Sequence, residues 1–294
     1  MEPLRTVMFI DGRNFKYNLG AFQFQTKDRE KSGEEHPYRL DEKHFLWRQF
    51  FLGVLGKFRK ATECEYRLVR VYWYSAETMR PFKTNEYQIR SILNDYKEKF
   101  PDLNHDKVIE LAEGWYKKER SNFERAKEEV YERIQRRVDF LEFKYTGEYV
   151  VNPFIVYRLE QREDGSYLYQ GKKEGEKGVD VGIAVDMIAK MSNYDVAVLI
   201  SGDADFLPLV CHVKDNLKYV YQFSIAKGIP PEISYLSPWL IGRVDVFQYF
   251  DELELLEVYL DRKSGIPPAI LKEIDSRINE LKKKAQQYQS KFRL

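Results

Sequence analysis

Short continuous apolar runs alternate along this chain with longer segments in which apolar residues recur every three or four positions. The continuous runs predict buried strands, and the recurring pattern predicts helices that bury one face. Strands that alternate with helices favour a mainly parallel sheet covered by helices on both faces. In chain order, the predicted strands are 6–10, 67–74, 196–201 and 218–223, and the predicted helices are 40–58, 85–100, 179–191 and 203–216.

Two adjoining segments interrupt this alternation. Residues 117–137 predict a highly charged helix, and residues 138–170 predict antiparallel strands joined by a hairpin turn at Glu163-Asp164-Gly165-Ser166. Together they predict an inserted helix plus β-hairpin elaboration, about 112–176, within an α/β domain that spans 1–260.

Two further segments have weaker patterns. Residues 16–40 are polar and irregular and predict a surface loop, whereas residues 232–260 predict mostly helix.

The C-terminal segment, 261–294, predicts an amphipathic helix. Apolar residues within it recur at alternating spacings of three and four, which is the pattern of a helical seam. Such a helix docks on its own domain, or it pairs with a second copy or a partner helix through 271–292, and the pattern leaves these alternatives open. The seam consists of Leu271, Ile274, Ile278, Leu281, Ala285, Tyr288 and Phe292.

The composition narrows the class of protein. The chain has 294 residues, 43% of them hydrophobic, which is enough for a packed core, and its net charge of +1 does not indicate a polyanionic partner. No apolar run approaches the about 18 residues needed to cross a bilayer, and the N-terminus has no signal pattern. Cys64 and Cys211 lie in apolar surroundings without a CxxC motif. They predict reduced core cysteines in a cytoplasmic protein without a membrane partner.

Carboxylates follow two of the predicted strands directly. Asp11 comes after the strand 6–10, and Asp203 and Asp205 come after the strand 196–201. Because ligands of open parallel sheets bind beyond the carboxyl ends of the strands, these side chains are expected at one edge of the sheet. Asp180 at the start of a predicted helix is a further candidate.

Clustered carboxylates repel one another unless a cation offsets them, and all-oxygen donors suit Mg²⁺ or Mn²⁺. Such an ion supports hydrolysis of a phosphodiester. Taken singly, these aspartates also have structural interpretations. Asp203 suits a helix N-cap, Asp180 suits the first turn of a helix, and Asp186 is placed to pair with Lys190. Two strands that both end in aspartate favour the functional interpretation.

Three sequence blocks resemble the NYN family of PIN-like nucleases, which includes the LabA-type proteins. They are FIDGRNF at 9–15, KGVDVGIAVDM at 177–187 and LISGDADFLPLV at 199–210, and RVDVFQYFDEL at 243–253 is similar to the family's closing segment. The resemblance implies a three-layer α/β/α PIN-like (Rossmann-like) fold and ribonuclease activity that depends on Mg²⁺ or Mn²⁺.

The resemblance also assigns roles to individual residues. It implies a catalytic metal site at four aspartates, with an amide, a hydroxyl and a further carboxylate in support. A further acidic position on the family's first helix corresponds to Asp41 or Glu42. The implied catalytic and metal residues are Asp11, Asp180, Asp203 and Asp205, and the implied supporting residues are Asn14, Asp186 and Ser201.

Cationic residues near these blocks are candidates for RNA binding. Arg13, Lys16 and Lys177 flank the acidic motifs and are expected to contact phosphates, and Tyr17 is a candidate for stacking on a base. The helix 117–137 is mixed in sign, so a solvated face is favoured there. A compact site at a sheet edge favours single-stranded RNA as the substrate.

Other functions agree less well with the sequence. A non-catalytic RNA-binding or assembly module with the same fold is the main alternative, although all the key carboxylates are present. A haloacid dehalogenase-type phosphatase needs a second aspartate where Arg13 stands. A nucleotide-binding enzyme is disfavoured because neither GxGxxG nor GxxxxGK[ST] occurs.

Overall fold

The computed structural model describes residues 2–25 and 37–291, in two compact units. The core unit contains residues up to Tyr74, residues 134–144 and residues from 180 onward, and the inserted unit contains 75–133 and 145–179. Among the described residues, no helix is both long enough and apolar enough to cross a membrane.

Eleven strands and ten α-helices make up this described part of the chain. The strands are β1 (Leu4–Asp11), β2 (Gln23–Phe24), β3 (Tyr38–Arg39), β4 (Tyr66–Ser75), β5 (Thr78–Met79), β6 (Leu141–Tyr145), β7 (Glu148–Gln161), β8 (Tyr167–Lys177), β9 (Val196–Ile200), β10 (Tyr219–Ile225) and β11 (Val246–Phe250). The α-helices are α1 (Gly12–Leu19), α2 (Trp47–Thr62), α3 (Glu86–Tyr96), α4 (His105–Arg125), α5 (Glu132–Gln135), α6 (Val179–Ala189), α7 (Leu207–Asp215), α8 (Pro238–Ile241), α9 (Glu252–Glu254) and α10 (Pro268–Lys291).

The core unit is built on a six-stranded sheet in the order β11-β10-β9-β1-β4-β6. The pairs β1–β4, β1–β9, β9–β10 and β10–β11 are all parallel. The chain steps from β1 to β4 and β6 on one side, then returns to β9 and steps outward through β10 and β11. The strand order therefore reverses between β1 and β9, which is where open α/β sheets form a crevice.

Helices cover the sheet on both faces. On one face, Phe50 of α2 packs edge-on against Phe15 of α1 and against Phe223 of β10. On the other face, Phe9 of β1 contacts Tyr194, whose hydroxyl donates to the carbonyl of Met187 in α6. The central strands are buried from both sides, which explains their continuous apolar runs. The predicted three-layer α/β/α fold with a mainly parallel sheet is confirmed.

The inserted unit has its own three-stranded sheet, β5-β7-β8, and its own core. β7 and β8 form the antiparallel hairpin that the sequence predicted, with Gly165 at a φ of +80° in the turn. The core of the unit includes Ile89 of α3, Trp115 of α4 and Phe154 of β7. This unit begins earlier in the chain than the predicted insertion, because α3 and β5 pack with the hairpin.

Several predicted elements need correction. β6 lies within the segment expected to form the hairpin but joins the large sheet beside β4. β11 replaces part of the helix predicted over 232–260, because its aromatic and β-branched residues pair in register with β10. The predicted loop 16–40 contains the end of α1 and the small β2–β3 ladder, and its residues 26–36 lie outside the described chain.

Two further expectations fail in detail. The helix predicted from residue 40 begins at Trp47, after a 3-10 turn at Glu42–His44. The cysteines were expected in the core, but Cys64 is half-buried and Cys211 is exposed. Cys211 lies on the solvent side of α7, whose opposite side buries Leu209, Val210 and Val213.

The C-terminal helix α10 docks on its own unit through the first part of the predicted seam. Ile274, Ile278 and Leu281 are buried, whereas Tyr288 is largely exposed and Phe292 lies outside the described residues. The buried carboxylate of Glu252 anchors the helix by accepting two hydrogen bonds from the Arg277 guanidinium, at 2.7 and 2.8 Å. Pairing with a second copy or a partner helix through 271–292 stays a prediction.

The buried Glu252–Arg277 pair is expected to stabilise the docking of α10. Arg277→Ala leaves a buried carboxylate without its guanidinium and should lower the free energy of unfolding by about 3 kcal/mol. Arg262→Ala is the matched control, since Arg262 pairs with Asp275 where both side chains are about half exposed, and it should cost about 1 kcal/mol or less. Urea denaturation measures both, and equal losses would contradict the assigned role of Arg277.

Candidate functional site

Asp11 is the last residue of β1 and the N-cap of α1. Its side chain lies at the reversal point of the sheet and is only 4% exposed. Oδ1 accepts a hydrogen bond from the backbone N–H of Asn14 at 3.0 Å, and Oδ2 accepts one from the hydroxyl of Ser201 at 2.9 Å. A buried carboxylate needs such donors, so the start of α1 and the end of β9 hold its position jointly.

Gly12 allows α1 to start directly against the sheet. A Cβ at this position would overlap the carbonyl oxygen of Tyr74 and the indole nitrogen of Trp73 on β4. The Asp-Gly step after β1 is therefore a close approach of backbone to backbone.

The loop after β9 is fastened to α1 and to its own strand. The N–H of Gly202 donates to the side-chain oxygen of Asn14 at 2.9 Å. The N–H of Asp203 donates to the hydroxyl of Ser201 at 3.1 Å, so this hydroxyl both accepts from the loop and donates to Asp11. Four of the predicted site residues, Asp11, Asn14, Ser201 and Asp203, thus belong to one hydrogen-bonded network.

Asp203 and Asp205 differ in what surrounds them. Asp203 is half-buried and caps the 3-10 turn Ala204–Phe206 by accepting from the N–H of Asp205 at 2.9 Å. The capping role that the sequence suggested for Asp203 is therefore present, and it occupies one of the carboxylate oxygens. Asp205 is exposed, and its side chain faces solvent beside the loop.

Asp180 and Asp186 both lie on α6. Asp180 is exposed in the first turn. Because α6 leads back to the start of β9, this turn belongs to the edge where the strands end. The two oxygens of Asp186 are engaged separately, by Lys190 at 2.5 Å and by the hydroxyl of Tyr74 at 2.7 Å. The predicted ion pair of Asp186 with Lys190 is confirmed.

The surroundings of Asp186 favour its charged form. Burial alone would raise its pKa, but the hydrogen bonds from Lys190 and Tyr74, together with the positive charges of Lys190 and Lys144, outweigh burial and hold the pKa below its ordinary value. Burial and this same carboxylate raise the pKa of Tyr74 far above its ordinary value, so the phenol stays protonated and keeps donating.

The other predicted residues have separate positions. Asp41 caps the 3-10 turn at 42–44, whereas Glu42 is buried and lies 3.3 Å from the ammonium of Lys16 on α1. Glu42 is thus the acidic residue of this pair that contacts α1. Arg13 is exposed on α1, and Lys177 is exposed at the end of β8 in the inserted unit.

Two residues that the sequence did not reveal as part of the site hold the backbone of the loop after β9. Gln222 is fully buried in β10 and donates to the carbonyl oxygen of Ser201 at 3.0 Å. Ser237, at a φ of +48°, donates to the carbonyl oxygen of Gly202 at 2.5 Å. A glutamine inside the apolar run YVYQFSI was a signal for Gln222. Ser237 had no such signal, because its contact with Gly202 forms only when the fold brings these two distant residues together.

The donor atoms at this edge are all oxygens, as carboxylates, a hydroxyl and an amide. This donor chemistry fits a hard cation such as Mg²⁺ or Mn²⁺. Within residues 2–25 and 37–291, no group of three or more His, Cys, Asp or Glu side chains is arranged so that it could hold a metal ion. The side chains of Asp180 and Asp205 are solvent-exposed, in contrast to the fixed carboxylate of Asp11.

The lowered pKa of Asp186 has a consequence for stability. Its carboxylate stabilises the folded state above the pKa of an unfolded aspartate, about 3.9, and this contribution is lost as the pH falls through the lower folded value. Asp186→Asn should therefore lower the melting temperature at neutral pH, and the difference from the wild type should shrink as the pH falls below about 4.

Tyr74→Phe tests the same network, because it removes one of the two hydrogen bonds and keeps the ring. It should reduce the pH dependence of the melting temperature without abolishing it. Thermal unfolding followed by circular dichroism over this range of pH measures both variants, and a difference that stays constant with pH would contradict the assigned interactions.

The chain is similar to a domain family and to a solved structure. The model of the NYN domain matches residues 5–236. A crystal structure of a protein of unknown function from Vibrio parahaemolyticus RIMD 2210633 is 17% identical, and the alignment covers 86% of this chain and 98% of that one with a TM-score of 0.35. No curated protein sequence matches the chain. The extent of the domain match shows that the chain belongs to the NYN domain family, whose members have a PIN-like nuclease fold and are generally nucleases.

Proposed function

We propose that this protein is a metal-dependent endoribonuclease that hydrolyses phosphodiester bonds of single-stranded RNA. The observation that supports this most directly is the network at the reversal point of the sheet. There the buried carboxylate of Asp11 is joined through the hydroxyl of Ser201 to the backbone of Asp203. Ligands of this fold class bind beyond these strand ends, so the network lies where a substrate would reach it.

The residues of the site have distinct roles in this proposal. Asp11, Asp180, Asp203 and Asp205 would together hold Mg²⁺ or Mn²⁺. Asp11 is the fixed member, since hydrogen bonds from Asn14 and Ser201 to its two oxygens restrict rotation of its carboxylate. A fixed ligand needs no reorganisation at the moment of reaction. Asp180 and Asp205, which are exposed, are the members accessible to an arriving metal ion.

A bound divalent ion would supply stabilisation of negative charge on the phosphoryl oxygens and on the leaving oxygen. The chain itself keeps the loop after β9 in place for this chemistry. Gln222 holds the carbonyl of Ser201, and Ser237 holds the carbonyl of Gly202. Two peptide units of the loop are thereby fixed from the side opposite to Asp11.

Positive side chains are needed to bind the RNA backbone. Arg13 is exposed in the first turn of α1, close in sequence to Asp11, and is the leading candidate for a phosphate contact in the core unit. Lys16 has a second role as the partner of buried Glu42, which leaves its half-exposed ammonium a weaker candidate. Lys177 belongs to the inserted unit and is proposed as a further phosphate contact.

A cytoplasmic location also belongs to this proposal.

The test is cleavage of end-labelled single-stranded RNA with Mn²⁺, with Mg²⁺ or with EDTA. Asp203→Asn/Asp205→Asn should lower the rate by roughly two orders of magnitude or more, because it removes two of the proposed ligands. The matched control is Asp215→Asn, at the far end of α7 and also exposed, which should cleave as the wild type does. The products should carry 5′-phosphate and 3′-hydroxyl ends.

Binding of Mn²⁺ followed by calorimetry adds a readout that is independent of activity. The double variant should bind the ion more weakly than the wild type and the Asp215→Asn control. Cleavage that survives in the double variant would place the active site elsewhere. RNA binding without any cleavage by the wild type would support the alternative of a non-catalytic RNA-binding module.

A further inference from the structure

Trp239 is an exposed tryptophan two residues after Ser237, whose side chain contacts the loop that carries Asp203. Its side chain is 78% exposed, whereas Trp47, Trp73 and Trp115 are at most 7% exposed. These four are all the tryptophans of the chain. An indole in water forgoes the burial that normally stabilises a fold, so a single exposed tryptophan points to a binding role.

The segment that carries Trp239 is held firmly. Ser237, two residues earlier, donates to the carbonyl of Gly202, and Ser224 donates to the carbonyl of Tyr235 at 2.6 Å. Leu240, the next residue, is completely buried. The indole is thus exposed on a short helix that is anchored on both sides, and one of these anchors is the loop that carries Asp203.

Tyr17 adds a second exposed aromatic ring near the same loop. It is also 78% exposed and lies three residues after Asn14 on α1, so both side chains occupy one face of the helix. Asn14 accepts from the N–H of Gly202 on that face. Tyr17 also lies near Tyr235, whose pKa is raised by burial and then by the charges of Glu232 and Tyr17.

Charge near these rings favours a polyanion as the ligand. Lys227 lies two residues after the end of β10, at the edge where β1 and β9 also end, and is half-buried. Arg13 is exposed on α1, the helix that carries Tyr17. Exposed rings interspersed with cations are the arrangement that single-stranded nucleic acids require, because the rings stack on bases while the cations contact phosphates.

We propose that Trp239 and Tyr17 form a stacking surface for the bases of single-stranded RNA that enters the candidate site, with Lys227 as a phosphate contact. This inference rests on the proposed function and specifies how its substrate is held. Stacking accepts any base, so the surface binds RNA with little dependence on sequence. A duplex keeps its bases paired and stacked internally, and it is therefore a poor ligand for this surface.

Tryptophan fluorescence reports this interaction directly, since Trp239 is the exposed indole. The probe is an oligouridylate of about ten nucleotides, and an abasic ribose-phosphate oligomer of the same length is the comparison ligand. Titrations use the full chain in the Asp203→Asn/Asp205→Asn background, so that the RNA stays intact. We expect the oligouridylate to quench and shift the emission and the abasic oligomer to leave it nearly unchanged.

The variants test whether the ring is responsible. Trp239→Ala should weaken binding of oligouridylate by roughly 5- to 150-fold and leave binding of the abasic oligomer nearly unchanged. Trp239→Phe, which keeps a ring, should restore most of the affinity. The matched control is Tyr219→Ala, since Tyr219 is a half-exposed aromatic residue at the opposite, amino-terminal edge of the sheet, and it should bind as the parent does.

The outcomes separate the stacking surface from the proposed function. If oligouridylate binds the parent and Trp239→Ala equally well, with no change in emission, the stacking surface is wrong and the nuclease proposal stands. If the wild type neither binds nor cleaves RNA with Mn²⁺ or Mg²⁺, both proposals fail. A folded Trp239→Ala that keeps its RNA affinity but changes oligomeric state in light scattering would instead assign this residue to a contact between copies, and would overturn the inference.

Discussion

The structure of the candidate site depends on the burial of one carboxylate, that of Asp11. A charge removed from water at the end of a strand is costly unless donors meet it, and here the donors come from two different elements. The backbone of α1 supplies one through Asn14, and the loop after β9 supplies the other through Ser201. The hydrogen bonds to this one carboxylate therefore fix α1, β1 and β9 relative to one another at the point where the strand order reverses.

The same constraint explains the residues that surround Asp11. Gly12 is required because α1 starts in contact with β4, and Asp11 caps this helix by accepting from the N–H of Asn14. Gln222 and Ser237 fix the loop carbonyls, which keeps the hydroxyl of Ser201 directed towards Asp11. Apart from the local hydrogen bond from Asn14 to Asp11, these contacts join residues far apart in sequence, so the site is a property of the folded core unit and not of one motif.

Much of this arrangement was predictable from the sequence, and the limits of prediction have physical causes. Strands buried on both faces leave continuous apolar runs, so β1 and β9, and the aspartates after them, were located correctly. β11 was missed because VFQYF lies between helical segments and becomes a strand only through its pairing with β10. The contact of Ser237 with Gly202 was likewise invisible, since no local pattern encodes a hydrogen bond between distant loops. The sequence identified which carboxylates follow strands, but burial alone separated Asp11 from the exposed Asp180 and Asp205.

The difference in burial between Asp11 and the exposed Asp180 and Asp205 affects how a nuclease site of this kind can work. A set of carboxylates held rigidly together would repel one another before any cation arrived, at a cost to the stability of the fold. Here only Asp11 is fully buried, and its hydrogen bonds offset the cost of burying it. Asp180 and Asp205 remain in water, where screening keeps mutual repulsion small. The fold thus carries one fixed carboxylate, Asp11, whereas Asp180 and Asp205 are exposed; in the proposed function, the cation that binds would complete the site.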